Sequence, residues 1–258
     1  MRLFDTHAHL LDEQFDADRE AILLQLPAQG VVHVMEACCD EAEIDRVTAL
    51  VARVPYLFGS AGVHPHSADA WNAASADHIA RALQAPRMLA IGEIGLDYHY
   101  DFSPRTVQKA CFDAQLGLAQ QLGVPVIIHD REAHGDCMEL LRLHRDGLKG
   151  VMHCFSGSYE TGRDCVDLGL YIAFGGALTF KNATKQRCIA EKLPLERIVI
   201  ETDCPYMTPE PHRGERNDPR LMHLTLETLA NVRGISAEEA AQATFENALR
   251  LYGIELSD

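Results

Sequence analysis

Phe4-Asp5-Thr6-His7-Ala8-His9-Leu10 follows the apolar start Leu3-Phe4 and sets two histidines two residues apart. On a β-strand, residues i and i+2 share a face, so His7 and His9 can grip one cation together. Imidazole suits zinc, manganese, iron or nickel, and a hydrolytic site needs further nitrogen and carboxylate ligands plus an open position for water. Where those ligands lie decides the fold.

Seven more short apolar runs, mostly β-branched, follow the first strand candidate at Leu3 to His7. They are Val31 to Glu36, Leu57 to Val63, Met88 to Glu93, Pro125 to His129, Val151 to Cys154, Leu170 to Phe174 and Arg197 to Glu201. Helical apolar spacing fills the gaps, as in Ile44, Val47, Leu50 and Val51. Helix starts are signalled by Asp40 with Glu43, Ser75, Ser103-Pro104 and Ser236 with Glu239, and glycines 30, 123, 147, 169 and 234 mark ends. No Pro/Gly/Ser-rich linker divides the chain. The alternation predicts an α/β fold with one domain over residues 1–258: a single (β/α)8 TIM barrel with a metal site at the C-terminal ends of its strands, in preference to a doubly wound open sheet.

Reactive residues recur at those strand ends. His7 and His9 follow the first, and Gly62-Val63-His64-Pro65-His66 lifts His64 to the mouth after the third. Gly92-Glu93-Ile94-Gly95 ends the fourth, with glycines leaving space for close approach and Glu93 placed to bridge metals. His129-Asp130-Arg131, His153-Cys154-Phe155 and Glu201-Thr202-Asp203-Cys204-Pro205 end the fifth, sixth and eighth. A lone histidine is usually a hydrogen-bonded core or rim residue. Four histidines and two carboxylates on five strands are not, and His7, His9, Glu93, His129, His153 and Asp203 are the expected ligands.

Hydrophobic residues make up 47% and charged residues 24% of the 258, as in an ordinary globular protein. The N-terminus turns acidic too soon for a signal peptide, no apolar run approaches membrane-spanning length, and the eight cysteines lack Cys-x-x-Cys pairing, so a cytoplasmic protein with reduced thiols and no membrane contact is expected. A net charge of −15 repels phosphate backbones and argues against generic nucleic-acid binding. Two divalent cations would draw a polyanion in locally.

These stretches resemble the TatD family of metal-dependent hydrolases, within the amidohydrolase-like barrels. The likeness spans nearly the whole chain: Phe4 to His9, Gly62 to His66, Gly92 to Tyr98, His129 to Arg131, His153 to Gly157, Thr179 to Ala183, Glu201 to Pro205 and Arg216-Asn217 fall in the family's order. The resemblance implies a deoxyribonuclease acting on single-stranded or damaged DNA, as exonuclease or abasic-site nicking enzyme. It implies the same six ligands, and His64 on the substrate phosphate. Where the family commonly has Arg-Asn-Glu-Pro, this chain has Arg216-Asn217-Asp218-Pro219. No lysine lies in strands four or five, which separates it from relatives that bridge their metals with a carboxylated lysine.

The expected reaction is phosphodiester hydrolysis by metal-activated water with two divalent ions: zinc, manganese, magnesium, nickel or iron. His7 and His9 would hold one ion and His129 and His153 the other. Glu93 would lie between them, and Asp203 would ligate the first ion and take the proton from water. Arg131, Lys181 and Arg216 are candidate contacts to flanking phosphates. Asp5 and Glu201 are expected as supports or buried hydrogen-bonding groups, and Cys154 and Cys204 as packing. His33, His78, His134, His144 and His223 are expected to be ordinary, while His66, His99 and His212 stay open. Tyr98, Tyr100 and Phe155 either stack on a base or pack in loops. Two other functions compete: an aminoacyl-tRNA deacylase using the same metals on an ester, and a metal-binding scaffold without catalysis. No obligatory protein partner is evident.

Overall fold

The computed structural model describes residues 1–255. Eight parallel strands pair in chain order: β1 (Leu3–Ala8), β2 (Val31–Glu36), β3 (Leu57–Ala61), β4 (Met88–Asp97), β5 (Val126–Arg131), β6 (Gly150–Met152), β7 (Tyr171–Phe174) and β8 (Ile198–Ile200). Between them run α1 (Arg19–Gln25), α2 (Ile44–Arg53), α3 (Ala73–Ala82), α4 (Arg105–Leu122), α5 (His134–Leu143), α6 (Tyr159–Asp167) and α7 (Thr184–Lys192). After β8 come α8 (Met222–Arg233) and α9 (Ala237–Tyr252). Around β8 and β1 the ring is drawn shut by individual bonds. Thr6 Oγ1 donates to Ile200 O (3.0 Å), Asp203 N to His7 O (3.0 Å) and His9 N to Cys204 O (2.9 Å). The architecture is the expected (β/α)8 barrel.

A parallel sheet wrapped in helices must bury both faces, and the strands divide their side chains accordingly. Phe4, Met35, Phe58, Ala90, Ile127, Val151, Ala173 and Val199, one from each strand, share a cluster with Phe245, Leu249 and Tyr252 of α9. Thus α9 plugs the N-terminal end, and its Tyr252 hydroxyl donates to Thr6 O (2.8 Å). Burying a ring such as Phe4 contributes about 1.5–3 kcal/mol. His33 belongs to this plug, stacked on Phe245 at 5.5 Å, and is a packing residue as expected. On the outside, α2 buries Ile44, Val47, Leu50 and Val51, the spacing read from the sequence.

Two local expectations shift. The cap of α3 is Asn72, not Ser75: the Asn72 side chain accepts from Ala74 N, while Ser75 at the third helical position accepts from Asn72 N and completes a capping box. The fourth strand does not end at Glu93. Its register with β5 breaks between Ile91 and Ile94, and pairing then resumes through Gly95 with His129 to Asp97 with Arg131. At the break Glu93 N turns to Cys38 O (2.6 Å) and Ser60 Oγ donates to Gly92 O (2.7 Å). Gly95 permits the resumed pairing, because a Cβ there would sit 1.9 Å from His129 O and its φ is +141°.

Candidate metal centre

Both sides of the break in β4 feed the mouth of the barrel, Glu93 at the break and Asp97 beyond it. Glu93 is 3% exposed and presents its two oxygens to different neighbours. Oε2 lies 3.2 Å from His7 Nε2 and 3.7 Å from His9 Nε2, while Oε1 lies 2.8 Å from His129 Nδ1 and 3.2 Å from His153 Nε2. Asp203 Oδ1 joins the first group, 3.5 Å from His9 Nε2 and 3.8 Å from His7 Nε2. All six expected ligands therefore meet, with Glu93 between two nitrogen pairs. His64 meets them too, its Nε2 3.4 Å from Glu93 Oε1.

Second contacts decide which nitrogen of each ring carries a lone pair. Ala37 O, which only accepts, is 3.2 Å from His9 Nδ1, so the proton belongs there and Nε2 is free. His129 faces a carboxylate at each nitrogen, Asp97 Oδ2 at 3.1 Å from Nε2 and Glu93 Oε1 at 2.8 Å from Nδ1, so with a cation at Nδ1 it is Asp97 that would keep the proton on Nε2. Glu201 Oε1 lies 3.3 Å from His153 Nδ1, close enough to polarise the ring although off the line of a hydrogen bond, and it accepts from Cys154 N at 2.7 Å. His64 is the opposite case. Its Nδ1 accepts from His66 N (3.2 Å), so a neutral ring carries its proton on Nε2 and donates toward Glu93. Burial drives its pKa down to about 4, which keeps the ring neutral at pH 7.

These donors fit divalent cations. His7 Nε2 and His9 Nε2 face each other at 3.0 Å, and buried His7 Nδ1 has no hydrogen-bond partner among the described residues. Lone pairs of nitrogens and carboxylates converging at such range are what a cation satisfies. Burial alone would neutralise Glu93, yet the facing His153, His64 and His7 hold its carboxyl well below the usual range. Asp203 is likewise held down against burial by its His9 hydrogen bond. For His7, burial and neighbouring His153 lower the pKa; burial also opposes protonation of His129, but Asp97 and Glu93 outweigh it.

Two supports were not singled out in the sequence. Asp97, fully buried, accepts from His129, from His66 Nε2 (2.9 Å) and from the backbone of His99 and Tyr100. Its signal was the alternation Glu93, Gly95, Asp97 along one strand. Glu36, at the end of β2, accepts from Leu10 N (2.9 Å) and Leu11 N (2.8 Å) and so fixes the turn after His9. Asp5, an expected support, accepts from Thr202 N (2.9 Å) and Thr202 Oγ1 (2.5 Å), tying β1 to the loop that carries Asp203, while burial pushes its pKa to about 7. Asp97→Asn is expected to weaken cation binding about 10- to 100-fold, which titration calorimetry with manganese would measure against unchanged thermal melting.

The cationic candidates divide. Arg131 ends β5, two residues after His129, with its guanidinium 4.8 Å over the Tyr100 ring. Lys181 is exposed in the turn after β7. Arg216 is engaged elsewhere, donating to both Asp18 oxygens (2.8 and 2.7 Å) and to Gln14 O (2.6 Å) while lying over Phe15. Tyr98 packs in its loop through Asp136 (2.6 Å) and Arg105, and Phe155 is buried. His99 and His212 pair locally with Glu132 and Glu215. Burial raises the thiols of Cys154 and Cys204, and also that of Cys39, whose Sγ lies 3.5 Å from His9 Nδ1.

A plugged barrel whose mouth gathers four imidazoles around a shared carboxylate is the architecture of a metal-dependent hydrolase. The TatD related DNase family profile matches residues 4–253, and the chain belongs to that family. It is 38% identical over 253 residues to the uncharacterized metal-dependent hydrolase YabD of Bacillus subtilis, covering 98% of this chain and 99% of that protein. It is 35% identical over 259 residues to the 3′-5′ ssDNA/RNA exonuclease TatD of Salmonella typhimurium, covering 98% and 99%. The crystal structure of YjjV, a TatD homolog from Escherichia coli, superposes with a TM-score of 0.93 at 32% identity, over 98% and 99% of the two chains. The enzyme is thus a hydrolase acting on ester bonds.

Proposed function

We propose that this enzyme is a deoxyribonuclease that hydrolyses phosphodiester bonds in single-stranded or damaged DNA, using two divalent cations. The observation that carries this reading is the division of Glu93 between two donor groups, His7, His9 and Asp203 on one side and His129 and His153 on the other. When bound, a pair of divalent ions lowers the pKa of water and neutralises charge on phosphoryl oxygens. The ion is zinc, manganese, magnesium, nickel or iron, all of which accept this mixed set. Asp203, ionised at neutral pH, takes the proton from the attacking water. His64 offers its Nε2–H to a non-bridging phosphate oxygen, and Arg131 meets a neighbouring phosphate. Lys181 lies on the same face for a more distant one. The net charge of −15 on the chain as a whole repels phosphate from the surface at large, and cations at the mouth would make that the place where a strand is held. Eight unpaired cysteines support a reducing, cytoplasmic setting, and no helix among the described residues is long and apolar enough to cross a membrane.

His64→Ala is expected to lower kcat/KM about 10- to 100-fold, the range for losing a hydrogen bond to a charged group, with cation content unchanged by emission spectrometry. Loss of an ion in that variant would make His64 a ligand instead. The nuclease reading itself is tested with chelator-stripped protein and a 3′-labelled single strand, restoring manganese, magnesium, zinc, nickel and iron one at a time. Cleavage returning with one metal supports it. Intact DNA under every metal, together with release of the amino acid from aminoacyl-tRNA, would replace it with ester hydrolysis on tRNA.

A further inference from the structure

The chain has nine phenylalanines, seven tyrosines and one tryptophan. Among these rings, Tyr100, Phe102 and Tyr206 are the exposed ones, at 49%, 66% and 52%. Each stands at the metal-side mouth. Tyr100 and Phe102 follow β4, and their rings stack with centroids 5.3 Å apart and planes 18° apart. His66 abuts both, at 5.4 and 4.9 Å, and its Nε2 shares Asp97 with His129. Tyr206 lies on the other flank, its ring 6.4 Å from that of His9.

A fold that buries or half-buries its other rings in core and loops has no packing reason to leave a stacked pair in water beside its metal centre. The charge beside that pair is equally telling. Arg105 is paired with Asp101 and Arg216 with Asp18, whereas the Arg131 side chain has neither ion pair nor hydrogen bond among the described residues. It lies against Tyr100, a free cation in a strongly acidic protein. An aromatic face joined to an unpaired guanidinium fits one ligand chemistry, an unpaired nucleobase with its adjoining phosphate.

We propose that Tyr100 and Phe102 form a stacking platform for an unpaired base next to the scissile phosphate, with Arg131 on the neighbouring phosphate and Tyr206 bracketing the strand on the His9 side. The proposal rests on the nuclease reading and adds to it the residues that select single strands. A duplex hides its base faces in its own stack, so the platform engages only bases that are free or extruded.

The test uses manganese-loaded Asp203→Asn protein, to keep the strand intact, and an oligothymidylate carrying one 2-aminopurine, whose fluorescence is quenched on stacking. A second strand has the same phosphates but tetrahydrofuran sites in place of bases. Tyr100→Ala and Phe102→Ala should each abolish most of the quench and weaken binding of the base-bearing strand about tenfold, leaving the abasic strand unaffected. Arg131→Gln should weaken both strands alike. Leu143→Ala, which removes an exposed apolar side chain on α5, serves as the control. Undiminished quench in both aromatic variants, or equal weakening on the abasic strand, overturns the platform. The nuclease reading is judged separately, by whether the wild-type protein cleaves the base-bearing strand.

Discussion

Glu93→Gln is expected to reduce hydrolysis by more than about 100-fold, beyond the loss seen when only the supporting shell of a metal site is altered. The glutamine amide keeps one oxygen and turns an NH2 toward the other donor group. Either His7 and His9 or His129 and His153 then face a donor where an acceptor stood. Of the two cations proposed above, one or none should remain bound by emission spectrometry. The barrel itself should persist, because the core that closes it is built from Phe4, Met35, Phe58 and their neighbours. An unaltered far-ultraviolet spectrum with the metal and activity both lost would agree. Two retained ions and normal turnover would show that the carboxylate does not bridge.

Asp203→Asn should cost about 10²- to 10⁴-fold in kcat, the contribution typical of a positioned proton acceptor, with little change in KM. Asparagine is the informative substitution here. Asp203 has a φ of +55°, in the left-handed region that asparagine and aspartate tolerate better than alanine, so the variant removes the charge with little backbone strain. Its carbonyl still offers an oxygen toward His9 and His7, which predicts that the cations stay bound. If activity returned with excess metal, Asp203 would act chiefly as a ligand, and another group would have to take the proton.

How much was legible in the sequence varied with distance along the chain. The eight strands and the helices between them announce themselves through apolar spacing, since burial of both faces of a parallel sheet imposes that pattern locally. The ligand types announce themselves too. One imidazole after a strand is ordinary, but imidazoles and carboxylates after five strands of a single barrel converge on one point, a donor set that suits a divalent cation. Ser236 with Glu239 was readable as a capping box because both partners lie within four residues. Ser75 misled because it is the third residue of its box, and the cap, Asn72, stands before it.

The sequence by itself determined the barrel, its alternation and the identities of the six residues around the centre. Only the tertiary structure decided what stands behind them. Asp97 reaches His129 because β4 breaks register at Glu93 and then resumes, and register between strands depends on how two distant segments pack. Arg216 turns to Asp18 and Arg131 stays free for the same kind of reason, because the partner of a long cationic side chain is set by through-space neighbours that can lie nearly the whole chain away. The sequence placed His64 at the mouth, and the family resemblance implied a contact with the substrate phosphate. Which of its nitrogens can donate follows from a single hydrogen bond to Nδ1, and that bond forms only once the turn to His66 is folded. Periodicity encodes which face a residue takes, but which atom it meets there is fixed by the packing of the whole barrel.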